Sequence, residues 1–362
     1  AANVRPETVI SRPDQYVGVA TYTSGNGSAV SINSYNFAPD LIFIKDRDGN
    51  NNWAIFDKVR GYALRLDCSA TGGQQDWSDY LSSFDSNGFT VKAATSDINR
   101  STNKICSWGW KAGGDKNTFN VDDVGYASAA AAGLTAGDTT PTGASVGTKQ
   151  GFSIIKYTGP NDTNNHEVPH GLSQAPNFII TKNLDISYNW DIYHSSLADD
   201  AYLIFTDATT RAQGFSGRPT STVFKTEHNY STNENEDYIA YCWHDVPGLQ
   251  KFGSYEGNAN ANGPFIELGF RPAVIMAKNV DNSDDWVIAD TARSSFNPQD
   301  ETLFPNSTTG EDTGTFYVDI LSNGFKPRHS SGKWNSSGHT FIYAAWAEAS
   351  SVDLYGGGAN AR

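Results

Sequence analysis

The sequence predicts an all-β chain of three tandem, homologous antiparallel β-sandwich domains, jelly-roll or lectin-like in kind. Three observations carry that expectation. One phrase is written three times along the 362 residues. Apolar residues come in runs too short for helices and bounded by turn formers. And 34 Gly with 14 Pro supply the turns that many short strands require.

The phrase opens on a proline. Pro39 leads Leu41-Ile42-Phe43-Ile44-Lys45 and then Trp53-Ala54-Ile55-Phe56. Pro176 leads Phe178-Ile179-Ile180-Thr181-Lys182 and then Trp190-Asp191-Ile192-Tyr193. Pro272 leads Val274-Ile275-Met276-Ala277-Lys278 and then Trp286-Val287-Ile288-Ala289. Proline to tryptophan is 14 residues in every copy, and proline to lysine is six. Each copy closes on an aromatic run ending in Trp110, Trp243 or Trp346, which lie 71, 67 and 74 residues after the proline. A unit of this size is a domain rather than a solenoid turn.

Taken in order, residues 1–16 read as an N-terminal arm. Residues 17–112 form the first sandwich repeat. Its run Asp46-Arg47-Asp48-Gly49-Asn50-Asn51-Asn52 tolerates positive φ and joins two strands as a hairpin, and Asn87-Gly88 marks another. Residues 113–149 are rich in Ala, Gly and Thr and read as a linker, or as an arm laid along a neighbour. One helix candidate, Tyr126 to Leu134, lies there and is cut short by Gly133, Gly137 and Pro141. The second repeat spans 150–246 and the third 247–349, with a hairpin turn at Asn323-Gly324. Almost no spacer separates these two, so they are expected to pack as a rigid pair while the first sits apart. Residues 350–362 form a glycine-containing C-terminal tail.

Lys and Arg number 26 against 40 Asp and Glu, a formal charge of −14. Such a surface repels phosphate backbones and anionic lipid, so nucleic acid is not expected as a partner. No stretch reaches the roughly 18 apolar residues of a membrane helix, so no membrane insertion is expected. Ala1 to Pro6 lacks the pattern of a secretory signal. The chain opens without Met, so residues ahead of Ala1 are expected to have been removed or omitted. Cys68, Cys106 and Cys242 are odd in number and widely spaced, which fits small buried residues rather than a disulfide framework.

Candidate chemistry is thin. Asp46-Arg47-Asp48-Gly49-Asn50 resembles the opening of a calcium loop, but glycine stands fourth and no closing Glu stands twelfth, so a plain hairpin turn is the preferred reading. Asp281 to Asp285 occupies the matching loop of the third repeat, and Asn183 to Ser187 that of the second. His166, His170 and His194 with Asp191 match no zinc spacing. His194 stands where the other copies carry Asp57 and Asp290, which argues for a turn or surface position. Ser195 lacks the strand-to-helix elbow of a hydrolase nucleophile. No catalytic, cofactor or metal residue is therefore assigned, and no enzyme activity is expected. Trp53, Trp190 and Trp286 could stack on sugars, but repetition at fixed spacing favours core anchors. Trp77, Trp108 and Trp334 are the better candidates for exposed contacts.

Several phrases together resemble a repeat-domain family of tailed marine bacteriophages and cyanophages. They include Phe43-Ile44-Lys45-Asp46-Arg47, Ser83-Phe84-Asp85-Ser86-Asn87-Gly88-Phe89 and Trp108-Gly109-Trp110-Lys111-Ala112-Gly113. They also include His244-Asp245-Val246-Pro247-Gly248-Leu249, Leu268-Gly269-Phe270-Arg271-Pro272 and the ending Asn360-Ala361-Arg362. The resemblance runs from about Tyr16 onward. It implies a virion structural protein of tail-fibre type, mostly of unknown function, and brings no catalytic residue with it. The expected role is a non-enzymatic appendage on the exterior of the particle, with other virion proteins as partners, a homotrimeric assembly, and a host surface glycan or receptor as the external contact. Capsid decoration and a carbohydrate-binding lectin or depolymerase are the alternatives. A single chain with three copies could also imitate a trimer by itself at a threefold position.

Overall fold

The computed structural model describes residues 10–350, except 161, 163, 200, 206–210, 213–214, 228–234 and 331. The tail expected over 350–362 therefore lies almost wholly outside the described residues, as do residues 1–9 of the N-terminal arm. The fold is all-β, built of several mostly antiparallel sheets. No helix among the described residues is long and apolar enough to cross a membrane.

Three sheets share one strand order and one register. In the first, Val17–Thr23, Lys104–Trp110, Leu41–Asp46 and Ala54–Asp57 lie side by side in that order. The second places Phe152–Thr158, Asp237–Trp243, Phe178–Asn183 and Trp190–His194 likewise, and the third Gln250–Glu256, Thr340–Ser350, Phe270–Asn279 and Val287–Asp290. The closing tryptophan faces the residue two after the proline every time: Trp110 opposite Leu41, Trp243 opposite Phe178, Trp346 opposite Val274. Those same residues face Asp57, His194 and Asp290 across the next strand. Because side chains alternate across a sheet, equal register puts equivalent side chains on equivalent faces.

Each of these sheets is accompanied by a second sheet, of two to four strands, that helps cover one face. Val30–Ile32, Gly88–Val91 and Leu81–Asp85 belong to the first repeat. His166–Pro169 and Val223–Thr226 belong to the second, and Ile266–Glu267, Gly324–Pro327, Asp312–Leu321 and Gln299–Thr302 to the third. Between the layers lie three separate apolar cores, around Phe56 and Phe89, around Tyr157 and Phe224, and around Phe325 and Trp334. The opposite faces of the three large sheets contribute to one further core, which holds Trp53, Trp108, Trp190, Trp243, Trp286 and Trp346.

That shared core corrects the expectation that the first repeat sits apart, since its tryptophans are buried among those of the other two. Of the two readings of residues 113–149, linker or arm laid along a neighbour, the strands found there fit the arm. Phe119–Val121, Val124–Tyr126 and Pro141–Gly147 extend the second sheet beyond Phe152–Thr158, with Phe119–Val121 pairing in parallel to Ala144–Val146. Small residues suit this edge: a Cβ on Gly113 would stand 2.3 Å from the Val146 carbonyl oxygen. The helix candidate at 126–134 is a hydrogen-bonded turn instead, closed by Gly133 at φ 77°. The N-terminal segment is pinned where it is described, with Ile10 buried and its N–H donating to the Pro247 carbonyl at 3.1 Å.

Candidate functional site

The densest constellation of polar and aromatic side chains lies where the three repeats meet. Trp110, Trp243 and Trp346 are each almost fully buried and form a triangle of indoles. Their ring centroids stand 6.2, 5.3 and 5.9 Å apart, at interplanar angles of 69°, 67° and 68°. Edge meets face in every pair, the arrangement the aromatic quadrupole favours. The three indole N–H groups are buried and have no hydrogen-bond partner among the described residues.

Around this triangle the contacts run in a cycle. The Trp53 indole N–H of the first repeat donates to the carbonyls of Phe304 and Ser307 in the third, at 3.1 and 3.0 Å. Trp286 of the third donates to Ile204 of the second at 3.3 Å. Trp190 of the second donates to Asp67 and Ala70 of the first at 3.0 and 3.2 Å. The repeated tryptophans are thus core anchors, as their spacing suggested, but each anchors a neighbouring repeat as well as its own.

A second cycle lies beside it. Asp57 binds the Arg60 Nε at 2.6 Å and accepts the Tyr241 hydroxyl of the second repeat at 2.8 Å. Asp290 binds the Arg293 Nε at 2.6 Å and accepts the Trp108 indole of the first repeat at 3.1 Å. Burial alone would lower the pKa of both arginines, but the adjacent carboxylate outweighs it and leaves each above its ordinary value. In the second repeat the same two places hold His194 and Leu197, and the donor position on the third repeat is Ala344. Here His194 Nδ1 accepts the Ser196 N–H at 3.1 Å, so the proton sits on Nε2 and is donated to the Tyr343 carbonyl at 3.0 Å. Burial lowers the His194 pKa to about 4, so the ring is neutral. Where the donor became Ala344, both charges of the pair were replaced together. A lone buried charge at that place would be costly.

The seam between the first and third repeats carries more. Arg47 lies 2.6 Å from Glu311 and 3.2 Å from Glu301, and Glu311 also takes Arg293 at 2.9 Å. Two backbone N–H groups donate beside them, that of Glu311 to the Arg47 carbonyl and that of Gly310 to the Asn50 side-chain Oδ1.

The hairpin loops are spent on their own turns. The Asp46 carboxylate accepts the N–H groups of Asp48 and Gly49 and the amides of Asn51 and Asn103, at 2.6 to 3.1 Å. Asn183 and Asn279 perform the same turn with an amide oxygen. Aspartate and asparagine interchange there because the side-chain oxygen of either accepts the turn's N–H groups. Lys45, Lys182 and Lys278 lie buried beneath these loops, each ammonium donating to the next residue's carbonyl at 2.6 or 2.7 Å. Burial lowers the pKa of Lys45 to about 8 and of Lys182 to about 7.

The histidines do not converge. His166 faces Asp162 and Asp138 at 2.9 and 3.2 Å near the surface. His170 is buried between the Leu172 N–H and the Thr220 carbonyl, and its pKa falls to about 4 through burial. Ser195 bonds Asn177 rather than either nitrogen of His194. The three cysteines are buried and free. Of the tryptophans expected to be exposed, Trp108 and Trp334 are fully buried, and only Trp77, at 37%, reaches solvent. Residues 12–350 match the model of a family described as a domain of unknown function (DUF7483). The chain belongs to that family. One family model thus spans all three repeats and the seams between them. No curated protein matches the chain, and no solved structure matches it.

Proposed function

We propose that the chain is a non-enzymatic structural protein on the exterior of a phage particle, in which three tandem homologous antiparallel β-sandwich domains close into a pseudo-trimeric head. The observation that carries this reading is the cycle of seam contacts around Trp110, Trp243 and Trp346, with equivalent tryptophans linking first repeat to third, third to second and second to first. Closed threefold assemblies are built from heterologous head-to-tail contacts repeated around the axis, and the cyclic order of these seams has that form. A single chain that closes three copies on themselves presents the same outline without two further subunits. The phrase-level resemblance to marine phage repeat domains supplies the setting, and the net charge of −14 suits dispersal in a salty medium.

Within the virion the appendage role is preferred to capsid decoration. An exposed Trp77 beside a cavity of about 200 Å³ is what a surface facing a host would carry, whereas a cement protein would need no such recess. Reconstruction of the particle by electron microscopy, with mass spectrometry of purified virions, tests the reading. Expected are this chain among the virion proteins and three-lobed density on the outside of the tail, one chain per head. A particle lacking the chain, or one holding it inside the shell, overturns the proposal.

A further inference from the structure

The Trp77 recess has the composition of a saccharide subsite. Its walls include Asn52, Arg65, Asp67, Gln75 and Trp77. Arg65 and Gln75 face each other across the two-stranded ribbon of Leu64–Arg65 and Gln75–Asp76, and the Trp77 N–H closes that ribbon on the Ala63 carbonyl at 2.8 Å. The Arg65 guanidinium, almost fully buried, lies 5.0 Å from the Trp77 ring centroid and 5.3 Å from that of Tyr80, and it donates to the Trp53 carbonyl. Arg65 therefore fixes Trp77 in place while leaving it partly open to solvent. Nature's sugar-binding chemistry needs an apolar ring face for C–H groups, with amides and carboxylates for hydroxyls, and both are present here.

The loop that frames the recess is held from the second repeat. Trp190 donates to the carbonyls of Asp67 and Ala70, the Gln74 N–H donates to the Leu184 carbonyl at 2.7 Å, and the Tyr188 N–H donates to the Thr71 carbonyl at 2.8 Å. Glycine is required at 73, where a Cβ would stand 2.6 Å from the Leu184 oxygen, whereas at 72 a Cβ would meet nothing within 4 Å. A loop pinned on one side and open on the other is pre-organised, which lowers the ordering cost of binding. The matching loop of the third repeat, Phe304 to Ser307, receives Trp53 in the same way but presents no exposed tryptophan. A cavity of about 200 Å³ is below the roughly 300 Å³ of a drug-sized site, and it suits one sugar ring.

We infer that this recess binds a single pyranose unit with vicinal hydroxyls, the ring face against Trp77 and the hydroxyls toward Asn52, Asp67 and Gln75. The inference stands apart from the virion reading, since a lectin of any origin could use it. Saturation-transfer NMR on the full chain, with free glucose, galactose, mannose and N-acetylglucosamine as probes, tests it. At least one sugar is expected to show saturable transfer in the millimolar range. Trp77→Ala should weaken that affinity by roughly tenfold or more, the worth of a stacked ring, and Trp77→Phe should retain part of it. Gln75→Leu, which leaves the tryptophan and its arginine untouched, should weaken binding without shifting the melting temperature. No saturable transfer with any of the four sugars overturns the inference, and so does transfer that survives both Trp77→Ala and Gln75→Leu unchanged.

Discussion

Exchange of the buried pair at the seam between the first and third repeats tests whether the seams are matched sets. Arg293→Leu leaves the Asp290 carboxylate fully buried with the Trp108 indole, the Cys106 thiol and the N–H groups of Ala292 and residue 293 as its donors. Removing one partner of a buried ion pair costs about 3–5 kcal/mol. Asp290→His leaves the Arg293 guanidinium buried with Glu311 as its remaining carboxylate, a loss of about 3 kcal/mol at the lower end of the same range. If the two sites were independent, the double variant would lose about 6–8 kcal/mol, most of the stability of an ordinary domain. The second repeat holds His194 and Leu197 at the same places without either charge. A neutral histidine at 290 has one acceptor nitrogen, for either the Trp108 or the Ala292 N–H, but strands no charge, so the double variant should lose only about 3–4 kcal/mol. Urea unfolding of the four chains, fitted with a common m-value, measures this coupling directly. Additive losses in the double variant would show that the co-replacement in the second repeat is coincidence, and the argument for matched seams would fail.

Three further outcomes follow from the same geometry. Because one apolar core is shared by all three repeats, calorimetry should show a single cooperative transition, and residues 17–112 expressed alone should not fold; three resolved transitions would contradict this. Trp110→Ala removes one side of the indole triangle and should cost about 3–5 kcal/mol, against less than about 0.5 kcal/mol for a surface control such as Phe296→Ala, where the ring is 82% exposed. His170 and His194 have folded pKa values of about 4 against an ordinary 6.5, so the unfolded chain binds more protons between those values. Stability present above pH 6.5 is therefore lost as pH falls toward 4, by up to about 3 kcal/mol for each ring. Denaturant midpoints at pH 7, 5.5 and 4.5 should fall in that order, and His194→Gln should flatten the slope.

The repeat was legible because its signals are local. Proline fixes the entry to a strand, Trp53 falls where the hairpin returns, and Asn-Asp-Gly loops report turns directly. Those cues placed Leu41–Asp46, Phe178–Asn183 and the strand through Val274 in one register. The seams were not legible in the same way. Nothing in a spacing shows that Tyr241 reaches Asp57, 184 residues away in the chain, or that Trp108 reaches Asp290, 182 residues away. One signal did exist: Asp57 with Arg60 and Asp290 with Arg293 keep one pattern, whereas His194 with Leu197 breaks it at both positions together. A joint change of both charges marks a buried pair, since a surface position tolerates either alone. Residues 113–149 misled for a related reason. Their small side chains look like a linker, but at Gly113 and Gly137 backbone packs on backbone, and a Cβ at either would stand 2.3 Å from a carbonyl oxygen.

A homotrimer must build its three seams alike, because symmetry gives each the same residues. A chain that contains all three copies escapes that constraint, and the seams here have diverged in a mechanical order. The first and second repeats are tied by chain through residues 113–149, and the second and third through Asp245 to Leu249. The third and first have no covalent tie among the described residues. That open junction is the one that carries Arg47, Glu301, Glu311, Asp290, Arg293 and Trp108 in a continuous network, buried at Asp290, Arg293 and Trp108 and partly exposed at the rest. The seam with the shortest covalent tie, by contrast, uses a neutral histidine and a leucine. A buried ion pair contributes little net stability, but separating its partners leaves an uncompensated buried charge at a cost of about 3–5 kcal/mol. The network therefore stands at the junction that no covalent tie spans among the described residues.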